Sequence, residues 1–223
     1  MKRQRVKICG ISDTRSAEVA ISAGADYIGV VFYPGSHRYV EPDQAREIAD
    51  SARAASNGRA VGVVGLFVNE PLDHVLHVRE HVGLDILQLS GNESPEYMAE
   101  LSKRGVSFIG TVRGGGASER ETTRRFREIV EQEPYAIILD THVPGMWGGS
   151  GVVGDWTLAR ELASEYRLLL AGGLDPSNVG AAVREVQPFV VDVSTGVETD
   201  KQKDHSKIRA FIAAARGTEG EPQ

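Results

Sequence analysis

Short apolar runs, rich in β-branched residues, recur along the chain, and between them lie longer stretches whose apolar residues return every three or four positions. The runs are VKIC (6–9), YIGVVFY (27–33), AVGVVGLFV (60–68), ILQLS (86–90), VSFIGTV (106–112), AIILDT (136–141), RLLLAG (167–172) and VVDVST (190–195). They are apolar at nearly every position, the pattern of strands covered on both faces. The intervening stretches include TRSAEVAISAG, PDQAREIADSARAA, SPEYMAELSKRG, SERETTRRFREIVEQ, DWTLARELASEY, DPSNVGAAVREV and DHSKIRAFIAAARG, several opening on Ser, Asp or Pro as helix starts do. Eight βα units in a chain of 223 residues predict a parallel sheet closed into a (β/α)8 TIM barrel. A doubly wound open sheet is the alternative the same alternation allows. Nothing in the composition divides the chain, so one barrel domain is expected over residues 1–215, with RGTEGEPQ (216–223) as a flexible tail.

Composition narrows the class of partner. Hydrophobic residues make up 41% and charged residues 25%, as in an ordinary globular protein, and the net charge of −6 offers no basic face for a nucleic acid. The one cysteine cannot form an internal disulfide, and neither a leader-like segment nor an apolar run of about 18 residues is present, so a cytoplasmic protein without a membrane span is expected. Monomer and homodimer stay open.

In a barrel of this kind all the strand C-termini open on one mouth. Cys9 ends the first strand and Asp140 the sixth, so residues far apart in sequence could flank one ligand. A thiolate is a competent base as well as a nucleophile, and a carboxyl kept protonated by burial can supply the complementary acid. The plainer readings are a small buried hydrophobe for Cys9 and a cap or loop carboxylate for Asp140. Arg38, in the turn-rich FYPGSHRYV (32–40), carries a charged fork suited to a carboxylate or phosphate, against the plain alternative of a solvated arginine. AGGLDPSNV (171–179) and DVSTGVET (192–199) each join a strand end to glycines and a helix start, where backbone N–H groups can face an anion. Either could be a tight turn; adjacent, at strands seven and eight, they favour a phosphate site.

Three other patterns carry less. GSGVVG (149–154) spells GxGxxG, but seven residues separate it from the strand end at Thr141, too many for a dinucleotide turn. His74, His77 and His81 share a helical face without an HExxH or cysteine partner, so no metal site is expected there. The glycines at 114–116 lack the GK[ST] of a P-loop.

KICG (7–10), AGADYIGVVFYPGSHRYV (23–40), GLFVN (65–69), ILDT (138–141), GGSG…DW (148–156), AGGLDPSNV and DVSTGVE (192–198) together closely resemble the phosphoribosylanthranilate isomerases of tryptophan biosynthesis, from Lys7 to about Phe211. The resemblance implies an Amadori rearrangement of N-(5-phosphoribosyl)anthranilate to 1-(2-carboxyphenylamino)-1-deoxyribulose 5-phosphate, with no cofactor and no metal. It assigns Asp140 as general acid at the ribose ring oxygen and Cys9 as general base at C2′. Arg38 would meet the anthranilate carboxylate, and backbone around Gly172, Gly173, Ser194, Thr195 and Gly196 would hold the 5′-phosphate. A small phosphorylated substrate is then the expected partner. Three departures from the family pattern stand out. Ser90 replaces the usual histidine, which removes the warrant for carrying over that side chain's role. Ser194-Thr195 replaces a serine pair, and TDKQKD (199–204) lacks the usual Pro-Gly turn. Neighbouring phosphate-binding barrels, such as ribulose-phosphate epimerase and indoleglycerol-phosphate synthase, would ask for metal-binding histidines or a lysine with glutamates at the strand ends. A silent barrel that binds a phosphorylated metabolite is the reading from another class. The glycine-rich GMWGGSG (145–151) is the expected covering loop.

Overall fold

Strand pairing runs in sequence order around the sheet and closes where β1 meets β8, so every strand is parallel to two neighbours and no edge is left. The computed structural model describes residues 3–114, 119–141 and 156–217. The first half of the wall comprises β1 (Arg5–Cys9), α1 (Thr14–Ala23), β2 (Tyr27–Val31), α2 (Pro42–Ala55), β3 (Gly62–Phe67), α3 (Leu72–Val82), β4 (Ile86–Leu89) and α4 (Pro95–Lys103). The second comprises β5 (Phe108–Gly114), α5 (Glu119–Val130), β6 (Ala136–Thr141), α6 (Trp156–Glu165), β7 (Leu168–Ala171), α7 (Val179–Val186), β8 (Val190–Val193) and α8 (His205–Arg216). The closed barrel is the expected fold, and the open doubly wound sheet is excluded by the β1–β8 pairing. The expected covering loop at 145–151 and the GxGxxG run at 149–154 lie outside the described residues.

Alternation along each strand divides the apolar residues between two cores. Val6 and Ile8 of β1, Ile137 and Leu139 of β6, and Leu168 and Leu170 of β7 pack outward under the helices. Val64, Ile86, Ile109, Ala136, Ile138, Leu169, Ala171 and Val190 fill the barrel interior, with Tyr27, Tyr135 and Phe189 at its lower end. This parity places the functional side chains: if Val6 and Ile8 point out, Lys7 and Cys9 point in, and Ala136 and Ile138 carry Asp140 inward after them. A fully buried Leu or Ile side chain contributes about 1.5–3 kcal/mol, so a one-residue slip that exchanged the two faces would be strongly opposed.

Helix ends follow local chemistry. Asp13 caps α1 by accepting from Ser16 N at 2.7 Å, and Asp204 caps α8 by accepting from Ser206 N and Lys207 N at 2.9 and 3.0 Å. The α7 helix starts later than DPSNV suggests. Asp175 Oδ1 accepts from Ser177 N, Ser177 Oγ and Asn178 N, a local turn that delays the helix to Val179. Helix α8 runs through Arg216, whose guanidinium donates to Gly24 O, and ends on Gly217.

Candidate active site

At the C-terminal mouth of the barrel lies a cavity of about 580 Å³, lined by Cys9, Arg38, Gln88, Arg113, Asp140, Asp192 and the loops 171–174 and 192–196 among others. It therefore contains every residue singled out from the sequence: Cys9, Asp140, Arg38, Gly172, Gly173, Ser194, Thr195 and Gly196. Its size is that of a small-molecule site.

Cys9 is 5% exposed, and its register partner on β2 is Gly29. A Cβ at Gly29 would stand 2.8 Å from the Cys9 sulfur and 3.3 Å from Lys7 Cε, so the thiol occupies room that only glycine leaves. Asp140 reaches the cavity from β6, level with Arg113 on β5 and Ala171 on β7. The thiol and the carboxyl thus line one space from the first and sixth strands.

Arg38 is held in a way its sequence context does not suggest. Its side chain crosses the end of β1 over Gly10, where a Cβ would fall 2.3 Å from Arg38 Cδ; Gly10 also has φ +75°. Nε and Nη2 donate to the two oxygens of Glu198 at 2.7 and 2.8 Å, and Nη2 also donates to Thr195 Oγ1 at 2.9 Å. The fork that would suit a ligand carboxylate is spent on Glu198, and Nη1 alone makes no hydrogen bond to a described residue.

Glu198 gathers a second cation. The Lys203 ammonium, with its side chain 2% exposed, donates to Glu198 Oε1 at 2.7 Å and to Ser194 O at 2.9 Å. Burial alone would push the Glu198 carboxyl up, but the Arg38 bonds and the Lys203 charge outweigh it and bring the pKa down to about 2. Desolvation draws Lys203 below the ordinary lysine value against the pull of that same carboxylate.

The last two loops touch. A Cβ at Gly196 would lie 2.0 Å from Leu174 O, so this glycine lets the 171–174 and 194–196 segments close on each other. Gly172 and Gly173 take φ of +89° and +67°. The 171–174 and 194–196 segments line the cavity here, and Asn178, just ahead of α7, donates from Nδ2 to Gly173 O at 2.8 Å.

A profile of N-(5'phosphoribosyl)anthranilate (PRA) isomerase matches residues 6–214. The chain belongs to this family. The isomerase of Roseiflexus sp. (strain RS-1) is 45% identical over 214 residues, covering 95% of this chain and 97% of the relative. The crystal structure of phosphoribosyl anthranilate isomerase from Thermotoga maritima superposes with a TM-score of 0.84 at 39% identity, covering 96% of this chain and 99% of that one. A further isomerase structure, in complex with reduced 1-(o-carboxyphenylamino)-1-deoxyribulose 5-phosphate, gives a TM-score of 0.79 at 37% identity, over 96% and 99% of the two chains. Monomers generated from the dimeric Thermotoga maritima isomerase have also been solved, so both forms occur among the relatives. No helix among the described residues is long and apolar enough to cross a membrane.

Two departures from the isomerase pattern acquire a physical account. Ser90 lines the cavity, where its hydroxyl accepts from Gln88 Nε2 at 3.2 Å and lies 3.3 Å from Thr111 Oγ1. It is held in the floor by neighbours on β4 and β5. In place of Pro-Gly, Asp200 and Lys201 take φ of +51° and +62° and close a two-residue hairpin between β9 (Glu198–Thr199) and β10 (Gln202–Lys203). That hairpin sets Lys203 opposite Glu198, so the turn survives the loss of its usual residues.

Sequence reasoning missed Lys7, Gln88, Asp192, Glu198 and Gly29. The signal for Lys7 and Asp192 was present: each is a charged residue within an apolar strand, at the inward parity. Glu198 carries a testable consequence. Its folded pKa of about 2 lies below the ordinary glutamate value, so the stability it contributes is present above about pH 4.5 and is lost as pH falls through 2. By linkage this is roughly 3 kcal/mol. Urea unfolding midpoints of the unmodified protein and Glu198→Gln should differ at pH 6 and converge between pH 4.5 and 2. A gap constant across that range would show that the carboxylate charge contributes nothing.

Proposed function

We propose that Cys9 and Asp140 perform the family's isomerisation as general base and general acid. The activity is the Amadori rearrangement of N-(5'-phosphoribosyl)anthranilate in tryptophan biosynthesis. Asp140 donates a proton to the ribose ring oxygen, the ring opens to an iminium, and Cys9 removes the C2′ proton; the enolamine then tautomerises to the ketone. The two groups need opposite starting states, a protonated acid and an unprotonated base, which is why one site holds a carboxyl and a thiol. The observation that carries this reading is that both line one cavity from different parts of the wall, β1 and β6.

The ligand of the solved relative bears a carboxylate on its aromatic ring and a phosphate on its sugar chain. In this chain Arg38 Nη1 would meet the carboxylate, since Nε and Nη2 are committed to Glu198. The backbone of Gly172, Gly173, Ser194, Thr195 and Gly196 would hold the phosphate. Held at both ends, the ribose is fixed between acid and base. Kinship with biosynthetic enzymes supports a cytoplasmic location and either a monomer or a homodimer. The substrate's anthranilate fluorescence gives the test: purified protein should extinguish it catalytically. No turnover at micromolar enzyme would overturn the assignment.

A further inference from the structure

Lys7 is one of the largest fully buried side chains among the described residues, at 1% exposure, and the reaction as described does not use it. Its ammonium donates to Asp192 Oδ1 of β8 at 2.9 Å and to Gln88 Oε1 of β4 at 3.0 Å. Stability does not account for it. A buried ion pair is at best near neutral against a well-packed apolar pair, and the neighbouring interior positions are Val64, Ile86, Ile109 and Leu169. Its position suggests another use. Lys7 and Cys9 lie two residues apart on the same face of β1, and Lys7 Cε and the Cys9 sulfur converge within 3.3 Å of a single point over Gly29. The lysine stem therefore runs up the wall toward the sulfur.

We propose that Lys7 is a positioning residue for the thiol: its buried ammonium, pinned by Asp192 and Gln88 next to the Cys9 sulfur, holds that sulfur in its anionic, proton-accepting form. Burial works against the Lys7 charge, but Asp192 and then Cys9 outweigh it, so Lys7 stays a cation. Other charges also surround the thiol. Asp192 faces it from β8, Arg38 crosses over Gly10, Lys203 and Glu198 approach from the β9–β10 hairpin, and Arg113 and Asp140 stand on β5 and β6. Among these, Lys7 is the cation that shares the strand face of the sulfur and is shielded from water. A cation beside a thiol favours the thiolate, and the effect is strongest where solvent is excluded.

The inference rests on Cys9 being the base, yet its test does not need turnover. Cys9 is the only cysteine, so iodoacetamide alkylation of the full-length protein, followed by intact mass, reads this thiol alone. Lys7→Met should alkylate at least about tenfold more slowly at pH 7 and match the unmodified protein within about twofold at pH 9.5, where the thiolate forms without help. The acid limb of kcat/KM should move to higher pH in parallel. Lys7→Met leaves Asp192 buried without its cation, so Lys7→Gln/Asp192→Asn, which strands no charge, is the companion variant. It should be about threefold slower at pH 7 and again converge at pH 9.5. Equal rates at pH 7, or equal slowing at both pH values, would overturn the proposal. If Cys9→Ser kept full turnover, the assignment of the base would fail while the alkylation result stood; if the Lys7 variants alkylated normally, only the role of Lys7 would fail.

Discussion

Replacing Cys9 by serine is expected to lower kcat by at least about 10²-fold, with the far-UV spectrum and unfolding midpoint nearly unchanged. The two side chains differ by one atom, and the smaller oxygen fits the space that Gly29 leaves for sulfur. What changes is proton affinity: a serine hydroxyl keeps its proton at neutral pH and cannot accept one from C2′. The substrate contacts at Arg38 and the phosphate loops are untouched, so KM should change far less than kcat. Near-normal turnover in Cys9→Ser would remove the thiol from the reaction. A large loss of stability would instead mark Cys9 as a packing residue, the plainer reading its burial also allows.

The second large effect is expected at Asp140. Asp140→Asn keeps the shape of the side chain and its ability to accept a hydrogen bond, but an amide has no proton to give to the ribose ring oxygen. We expect kcat to fall by at least about 10²-fold, again with little effect on folding. Ring opening precedes proton abstraction, so this variant should stall on the closed-ring substrate, whereas Cys9→Ser should stall after opening. Single-turnover measurements separate the two. A variant that opened the ring at the normal rate would show that another group supplies the proton.

Much of this site could be read from the chain because strand parity is local. In AIILDT the outward Ile137 and Leu139 fix Asp140 as inward, and in VKIC the outward Val6 and Ile8 do the same for Cys9. The barrel followed from eight buried runs at regular spacing. What the sequence concealed depends on pairing across the barrel. Lys7 finds Asp192 only because β1 closes against β8, at a sequence separation of 185 residues. Arg38 looked like an open fork because Glu198, 160 residues away, is delivered by a hairpin whose turn residues did not resemble the usual ones. The late start of α7 is a local override, in which the Asp175 side chain satisfies the backbone before a helix can begin.

The central claim is that one ligand lies between a thiol on β1 and a carboxyl on β6 with its phosphate on the last two loops. A crystal structure of this protein with reduced 1-(o-carboxyphenylamino)-1-deoxyribulose 5-phosphate tests it most directly. The account predicts the Cys9 sulfur beside C2′, Asp140 toward the oxygen released on ring opening, and the phosphate against Gly173 and Ser194–Gly196. A ligand seated elsewhere in the barrel, or a sulfur turned away from it, would contradict the account.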